Sequence, residues 1–173
     1  METTFALWAN QVFGWGSWEV GLNFFFVGVV LVVVQGGLIG WLSRRLGEAR
    51  LLTAGALSIM LGLAGLPLVH AIPLLLVVNL LLAAGMGLLN PSLNSLISRQ
   101  ARIDEQGGIL GVSQSASSLA RAAAPPLAGL LFDTSGRNTP YIVGAALMLL
   151  VLILALRLPR VASDATMSEV LPS

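Results

Sequence analysis

The residue whose chemistry most needs an explanation is Arg121, because it stands inside an apolar segment that starts at Ile109. Twelve residues separate the two, which is about 18 Å along an α-helix and therefore near the centre of a bilayer. A central arginine costs roughly 2.5–3.5 kcal/mol on insertion scales, so it should face a bundle interior or a water-filled cavity. Four partners fit it: a polar side chain, a backbone carbonyl, a solute anion, or a carboxylate from another part of the protein.

Polar side chains recur at helical spacing around Arg121 and on a preceding segment. The first stripe comprises Gln114, Ser117, Ser118, Arg121 and Pro125, the second comprises Asn90, Asn94 and Ser98, and Gln35 stands alone in an earlier segment. One interpretation is that these side chains line a solute pathway. The alternative, which we prefer for the serines and Asn94, is that they join helices through hydrogen bonds worth about 0.6 kcal/mol each.

The sequence offers little other chemistry. It has no cysteine and one histidine, His70, in a short turn between apolar segments. None of its eight acidic residues falls inside an apolar segment. We therefore expect no catalytic constellation, no metal and no cofactor, which disfavours an enzyme.

The elements that must position these residues are membrane helices. Apolar residues make up 56% of the 173-residue chain and charged residues 10%, with a mean hydropathy of +0.89. An ordinary soluble domain has about 25% charged residues. Five apolar stretches approach or exceed the roughly 20 residues that a helix needs to cross a bilayer. They cover residues 21–43, 51–69, 72–98, 109–132 and 140–156.

The arginines predict the orientation of these helices. Seven lie at alternate connections and in the tail: Arg44, Arg45, Arg50, Arg99, Arg102, Arg157 and Arg160. Arg137 alone lies at the opposite face. The positive-inside rule makes the seven-arginine face and the C-terminus cytoplasmic. We expect an integral protein of a bacterial inner membrane, with lipid and a small solute as partners and no nucleic acid.

Three regions follow from this pattern. Residues 1–20 are predicted to be the end of a truncated helix and an outer loop, residues 21–158 a five-helix membrane domain, and residues 159–173 a disordered cytoplasmic tail. An interfacial helix is the alternative for the first region. Trp8, Trp15 and Trp18 there suit an aromatic belt at the membrane surface.

Two connections share a pattern, which suggests an internal repeat. Gly40 and Gly47 flank the first, and Gly129 and Gly136 flank the second, 89 residues later. The copies fall at opposite faces of the predicted membrane domain, as in an inverted-topology repeat. The repeat predicts units of three helices each, and it places most of the first helix of the first unit before residue 1.

Several of these residues resemble a known family. The run from Gly40 to Gly47 resembles the major facilitator loop signature G-x-L-a-D-R-x-G-R. Gly40, Leu42, Arg45 and Gly47 match it, whereas Arg44 replaces the acidic residue. The segment from Glu105 to Gly129 is similar to the eleventh helix of bacterial drug:proton antiporters, including tetracycline-efflux-like proteins, with Ala124 at a position where they commonly have glycine. The segment from Gly85 to Pro91 resembles their tenth helix.

The resemblance implies an all-α integral membrane bundle, the C-terminal half of a major-facilitator-type secondary transporter with its first helix incomplete. It implies efflux of drugs or small solutes by alternating access, and a missing N-terminal half as partner. Pro91, Pro125 and Gly129 are candidate helix hinges. An accessory or half-size membrane subunit remains the alternative function.

Overall fold

The computed structural model describes residues 2–100 and 105–157, apart from the side chains of residues 2–4, 99 and 100. These residues form seven α-helices: α1 (Glu2–Phe13), α2 (Ser17–Val33), α3 (Ile39–Leu46), α4 (Glu48–Gly65), α5 (Ile72–Gln100), α6 (Gln106–Ser135) and α7 (Thr139–Arg157). A π-helical turn, Val34–Leu38, joins α2 to α3 without a break, and a 3₁₀ turn, Leu66–Leu68, follows α4. The predicted tail at 159–173, Arg102 and Arg160 lie outside the described residues.

Two glycines end helices in a conformation that other residues rarely adopt. Gly47 separates α3 from α4 with φ 77° and ψ 156°. Gly136 ends α6 with φ 97° and ψ 161°. This region of the backbone map is essentially restricted to glycine, because a Cβ atom would clash with the backbone. The two glycines of the predicted repeat therefore form the same kind of helix ending, 89 residues apart.

The packing centre of the molecule is α4, which lies against α5 and α7. Leu51, Ala56 and Leu63 of α4 are buried. Close approach to α5 is possible because Gly55 of α4 faces Gly85 of α5. Contacts of α4 residues further along the chain fall on earlier residues of α5, so the two helices run antiparallel.

Helix α1 packs into one end of the bundle rather than lying apart from it. Phe5 and Trp8 are buried in an apolar cluster that includes Phe132 of α6 and Tyr141 of α7. The Trp8 and Tyr141 rings meet edge to face, with centroids 6.1 Å apart. The Trp8 side chain is therefore buried inside the bundle, with 1% of its surface exposed, whereas Trp18 is 75% exposed.

Four of the described helical segments are long and apolar enough to cross a membrane: Ser17–Leu46, Glu48–Leu68, Ile72–Ser98 and Thr139–Arg157. The predicted span at 109–132 forms the long helix α6, but α6 is not among these four. Its polar stripe and Arg121 lower its hydropathy. The molecule is thus an all-α, polytopic membrane protein in which α6 is the least apolar of the long helices.

Candidate solute pathway

Arg121 occupies the middle of α6, 15 residues after Gln106 and 14 before Ser135. Its side chain is exposed, and it forms no ion pair or hydrogen bond with any residue that the structure describes. The neighbouring residues Ala120, Ala122 and Ala123 are also exposed. Because these side chains are small, they leave the guanidinium group open to an approaching molecule.

The rest of the first polar stripe surrounds Arg121 on the same side of α6. Gln114, Ser118 and Pro125 are exposed, and Ser117 is half-buried. At about 100° per residue, these positions lie within a sector of roughly 100° around the helix. The half-buried positions of α6, which include Leu110 and Leu131, centre on an adjoining sector. The stripe therefore borders the face by which α6 contacts its neighbours.

Gln35 is the second residue of the π-helical turn between α2 and α3, and it packs beside α5. A Cβ atom added to Gly87 of α5 would lie 2.8 Å from Val34 Cγ1 and 3.7 Å from Gln35 Cγ. Wide π-helical turns inside long helices are frequent at functional sites, because they break the regular hydrogen-bond ladder. Gln35, Gly36 and Gly37 are exposed along this turn.

Asn90 and Asn94 continue along α5 from the point where Gln35 approaches it. They follow Gly87 by three and seven residues, which places all three on one side of the helix. Both asparagines are exposed, and neither hydrogen-bonds to another described residue. The structure thus brings Gln35 close to the α5 stripe. No hydrogen bond within the described part of the chain joins either of them to the α6 stripe.

A family model for the Major Facilitator Superfamily matches residues 1–169. The chain belongs to the major facilitator superfamily. This membership and the helical architecture confirm the family resemblance that the loop and helix motifs indicated.

Relatives of this major facilitator chain include resistance proteins. The class G tetracycline resistance protein of Vibrio anguillarum is 32% identical over 85% of this chain and 39% of its own length. Major facilitator superfamily domain-containing protein 10 of Mus musculus is 27% identical over 91% of this chain and 34% of its own length. The chain therefore spans little more than a third of the length of these relatives.

A solved major facilitator structure has the same fold. The crystal structure of the human organic anion transporter MFSD10 superimposes with a TM-score of 0.81, at 24% identity, over 89% of this chain and 36% of that one. The peptide transporter POT in complex with sulfate gives a TM-score of 0.68 at 25% identity over 78% of this chain and 28% of that one.

The major facilitator loop motif lies at the junction of α3 and α4. Arg44 Nε donates a hydrogen bond to the carbonyl oxygen of Gly40, one turn earlier in α3, at 3.1 Å. The Arg45 guanidinium lies 4.4 Å from the centre of the Trp41 ring, a cation–π contact. Leu42 is half-buried and Gly47 makes the turn. Both arginines are exposed, so the motif leaves two positive charges at this end of the bundle.

The three candidate hinge residues lie within continuous helices. Helix α5 passes through Pro91, which is half-buried, and α6 passes through Pro125 and Pro126. Gly129 is half-buried in α6, and a Cβ atom there would meet no neighbour within 4 Å. Each proline lacks the N–H group that would donate to the carbonyl one turn earlier. These are local weak points in the hydrogen-bond ladder of helices that carry the polar stripes.

Sequence reasoning missed the polar contacts that do join helices. Asn79 Nδ2 of α5 donates to Asn23 Oδ1 of α2 at 2.6 Å, and both side chains are buried. Ser58 Oγ of α4 donates to the Leu81 carbonyl oxygen of α5 at 2.7 Å. The signal was present, since an asparagine in an apolar run needs a partner, but nothing in the sequence identifies which one.

A further contact ties the loop motif to α5. Ser95 Oγ donates to Glu48 Oε1 at 2.5 Å, where α4 begins. Glu48 is the position at which the family signature has a basic residue. The Glu48 carboxylate thus binds α5 one residue after Asn94. This hydrogen bond connects the turn between α3 and α4 to the helix that carries the second polar stripe.

Proposed function

We propose that this chain supplies the C-terminal half of the transport pathway of a secondary active transporter, which exports drugs or small organic solutes by proton-coupled alternating access. The observation that carries the proposal is the set of polar side chains left exposed on the α2–α3 segment, on α5 and on α6: Gln35, Asn90, Asn94, Gln114 and Arg121. Lipid offers such groups no hydrogen bonds. Water in a path between two halves of a transporter would supply the hydrogen bonds that these side chains lack.

The relatives support export as the direction. Tetracycline resistance proteins and a multidrug resistance protein of Bacillus subtilis match most of this chain at 28–32% identity. Since the chain spans between 33% and 41% of the length of its relatives, we propose that the rest of the pathway belongs to the larger remaining part of the full-length protein. We place the protein in a bacterial inner membrane with its C-terminus in the cytoplasm, on the strength of the arginine distribution.

Proton coupling would depend on that second half. In the described helices the acidic side chains with known positions, Glu19, Glu48 and Asp133, all lie within three residues of a helix end. A proton carrier within a transport pathway is usually a carboxylate or histidine inside the membrane. His70 is exposed in the turn before α5 and hydrogen-bonds to the Leu68 carbonyl oxygen at 2.7 Å, so it is not such a group.

The test is tetracycline uptake into inside-out membrane vesicles from cells that express the complete reading frame. Uptake should require a proton gradient and collapse when an ionophore removes it. Replacing Gln114 with Leu should reduce uptake about tenfold, whereas Leu119→Ala should not. Leu119 is 72% exposed and lies roughly 140° around α6 from Gln114. Equal effects of the two variants would contradict a pathway along this stripe.

A further inference from the structure

Building on the proposed function, we propose that Arg121 is the recognition site for an organic anion, whose carboxylate or similar oxyanion binds the guanidinium at the midpoint of α6. The inference rests on the charge distribution of the described helices, the absence of a neutralising partner for Arg121 among the described residues, and the small side chains that flank it.

Arg121 is the one charged residue that the structure places deep within a helix. Every other charged residue of the described helices lies within three residues of a helix end, where it reaches water or headgroups; examples are Glu19, Arg45 and Asp133. Arg121 is at least 14 residues from either end of α6, or about 21 Å. Arg121 is therefore the charged residue of the described helices that lies farthest from a helix end.

The acidic residues of the described chain are too far away or already engaged. Asp133 and Glu105 lie 12 and 16 residues from Arg121 along the chain, which is about 18 and 24 Å on a helical rise. Glu19 accepts a hydrogen bond from the Gly16 amide at 2.9 Å, and Glu48 accepts one from Ser95. None of them neutralises Arg121, so the positive charge is available to a ligand.

The surroundings of Arg121 suit a planar oxyanion. A guanidinium presents parallel N–H groups that match the two oxygens of a carboxylate. Ser118 and Ser117 lie three and four residues earlier on the same stripe, within reach of a ligand held by Arg121, and their hydroxyl groups can donate further hydrogen bonds. The run of alanines at positions 122–124 keeps the approach free of bulk.

The experiment compares two xanthene dyes of opposite charge, the anion 5-carboxyfluorescein and the cation rhodamine 123. Binding to the purified full-length protein in detergent is measured by fluorescence anisotropy, and uptake is measured in inside-out vesicles. The variants are Arg121→Gln, which removes the charge, and Arg121→Lys, which keeps it. Arg137→Gln is the matched control, because it removes an exposed arginine in the turn after α6 and changes the net charge equally.

We expect Arg121→Gln to weaken 5-carboxyfluorescein binding at least tenfold and leave rhodamine 123 binding unchanged or tighter. Arg121→Lys should lie between Arg121→Gln and the parent, and Arg137→Gln should match the parent. Uptake of the anion should follow the same order. The lysine variant and the cationic dye together show whether a loss reflects charge or misfolding.

Three results would overturn the inference. If Arg121→Gln and Arg121→Lys weaken both dyes equally, the arginine supports the fold. If the parent takes up rhodamine 123 but does not bind 5-carboxyfluorescein, transport stands and the anion site does not, as expected if a carboxylate of the other half pairs with Arg121. If the parent transports neither these dyes nor tetracycline, the proposed function fails as well.

Discussion

Gly55 of α4 and Gly85 of α5 face each other so closely that neither position has room for a methyl group. A Cβ atom on Gly85 would lie 2.8 Å from the Gly55 carbonyl oxygen, and one on Gly55 would lie 2.9 Å from the Gly85 carbonyl oxygen. Both clashes are with backbone atoms, which cannot rotate away. Small residues that allow such close approach are typical of helix contacts in membranes, where dispersion forces replace the hydrophobic effect.

Alanine at this crossing should therefore separate α4 from α5. We expect Gly85→Ala to lower the free energy of unfolding by about 1–3 kcal/mol, as overpacking does in other close-packed cores. Unfolding by sodium dodecyl sulfate, followed by tryptophan fluorescence, measures the change. Gly28→Ala is the control, because a Cβ atom there meets nothing within 4 Å. Similar losses at both positions would show that the close crossing of α4 and α5 does not set the effect, because alanine has the higher helix propensity at either site.

The buried pair Asn23 and Asn79 should behave as a coupled unit. Asn79→Leu leaves the Asn23 amide without its partner and should destabilise the fold by about 1–2 kcal/mol. The double variant, Asn23→Leu with Asn79→Leu, should recover part of that loss. A double-mutant cycle by the same unfolding assay should give a coupling energy near 0.6 kcal/mol and below about 1.7 kcal/mol. Asn94→Leu, at an exposed asparagine, is the reference; strictly additive effects of the pair would refute the coupling.

The two turn glycines should be equally intolerant of a side chain. Because both have positive φ with extended ψ, Gly47→Ala and Gly136→Ala should each cost about 1–3 kcal/mol of stability through backbone strain. Gly40→Ala tests the same change within regular α-helix and open space and should be close to neutral. The comparison needs only the thermal midpoint of each purified variant. A harmless Gly136→Ala would mean that the second turn relaxes to another conformation.

The π-helical turn should tolerate the loss of one residue better than the helix before it. A π turn holds one residue more than the α-helix would need, so deleting Gly37 should restore regular helix and keep the register of both flanks. Deleting Gly28 instead rotates all that follows by about 100° and takes Val30 and Val34 off their contact with α5. We expect the first deletion to fold, with transport reduced about tenfold through displacement of Gln35, and the second to fail to accumulate in the membrane.

The helices could be predicted from the sequence because the long apolar runs must satisfy their backbone hydrogen bonds within lipid, and an α-helix does so within one segment. Glycine and arginine residues mark the connections between these runs. The start of the first long helix was placed four residues late, at Gly21 instead of Ser17, since interfacial residues fit either side of a helix end. The π turn at Val34–Leu38 could not be predicted, because its two glycines indicate a weak point in the helix but not which hydrogen-bond pattern forms there.

Part of the candidate site could also be predicted from the sequence. Arg121 was identified because a charged side chain in lipid costs free energy, and Gln114 and Ser118 were grouped with it because their spacing places them on the same helix face. Spacing says which side chains share one helix face but not which helices meet. The contact between Asn23 and Asn79, 56 residues apart, depends on that second fact. The burial of Trp8 could not be predicted for the same reason, since an exposed tryptophan and one covered by another helix look alike in sequence.

Of the long helices, α6 gives the insertion machinery least to recognise. It carries a central arginine and a row of amides and hydroxyls, and it falls short of the apolarity of the four other spans. We expect α6 to insert less readily than the other long helices, and α5 and α7, which it contacts, to hold it in the bilayer. The charge that we propose as an anion site thus makes the insertion of its helix depend on the helices beside it.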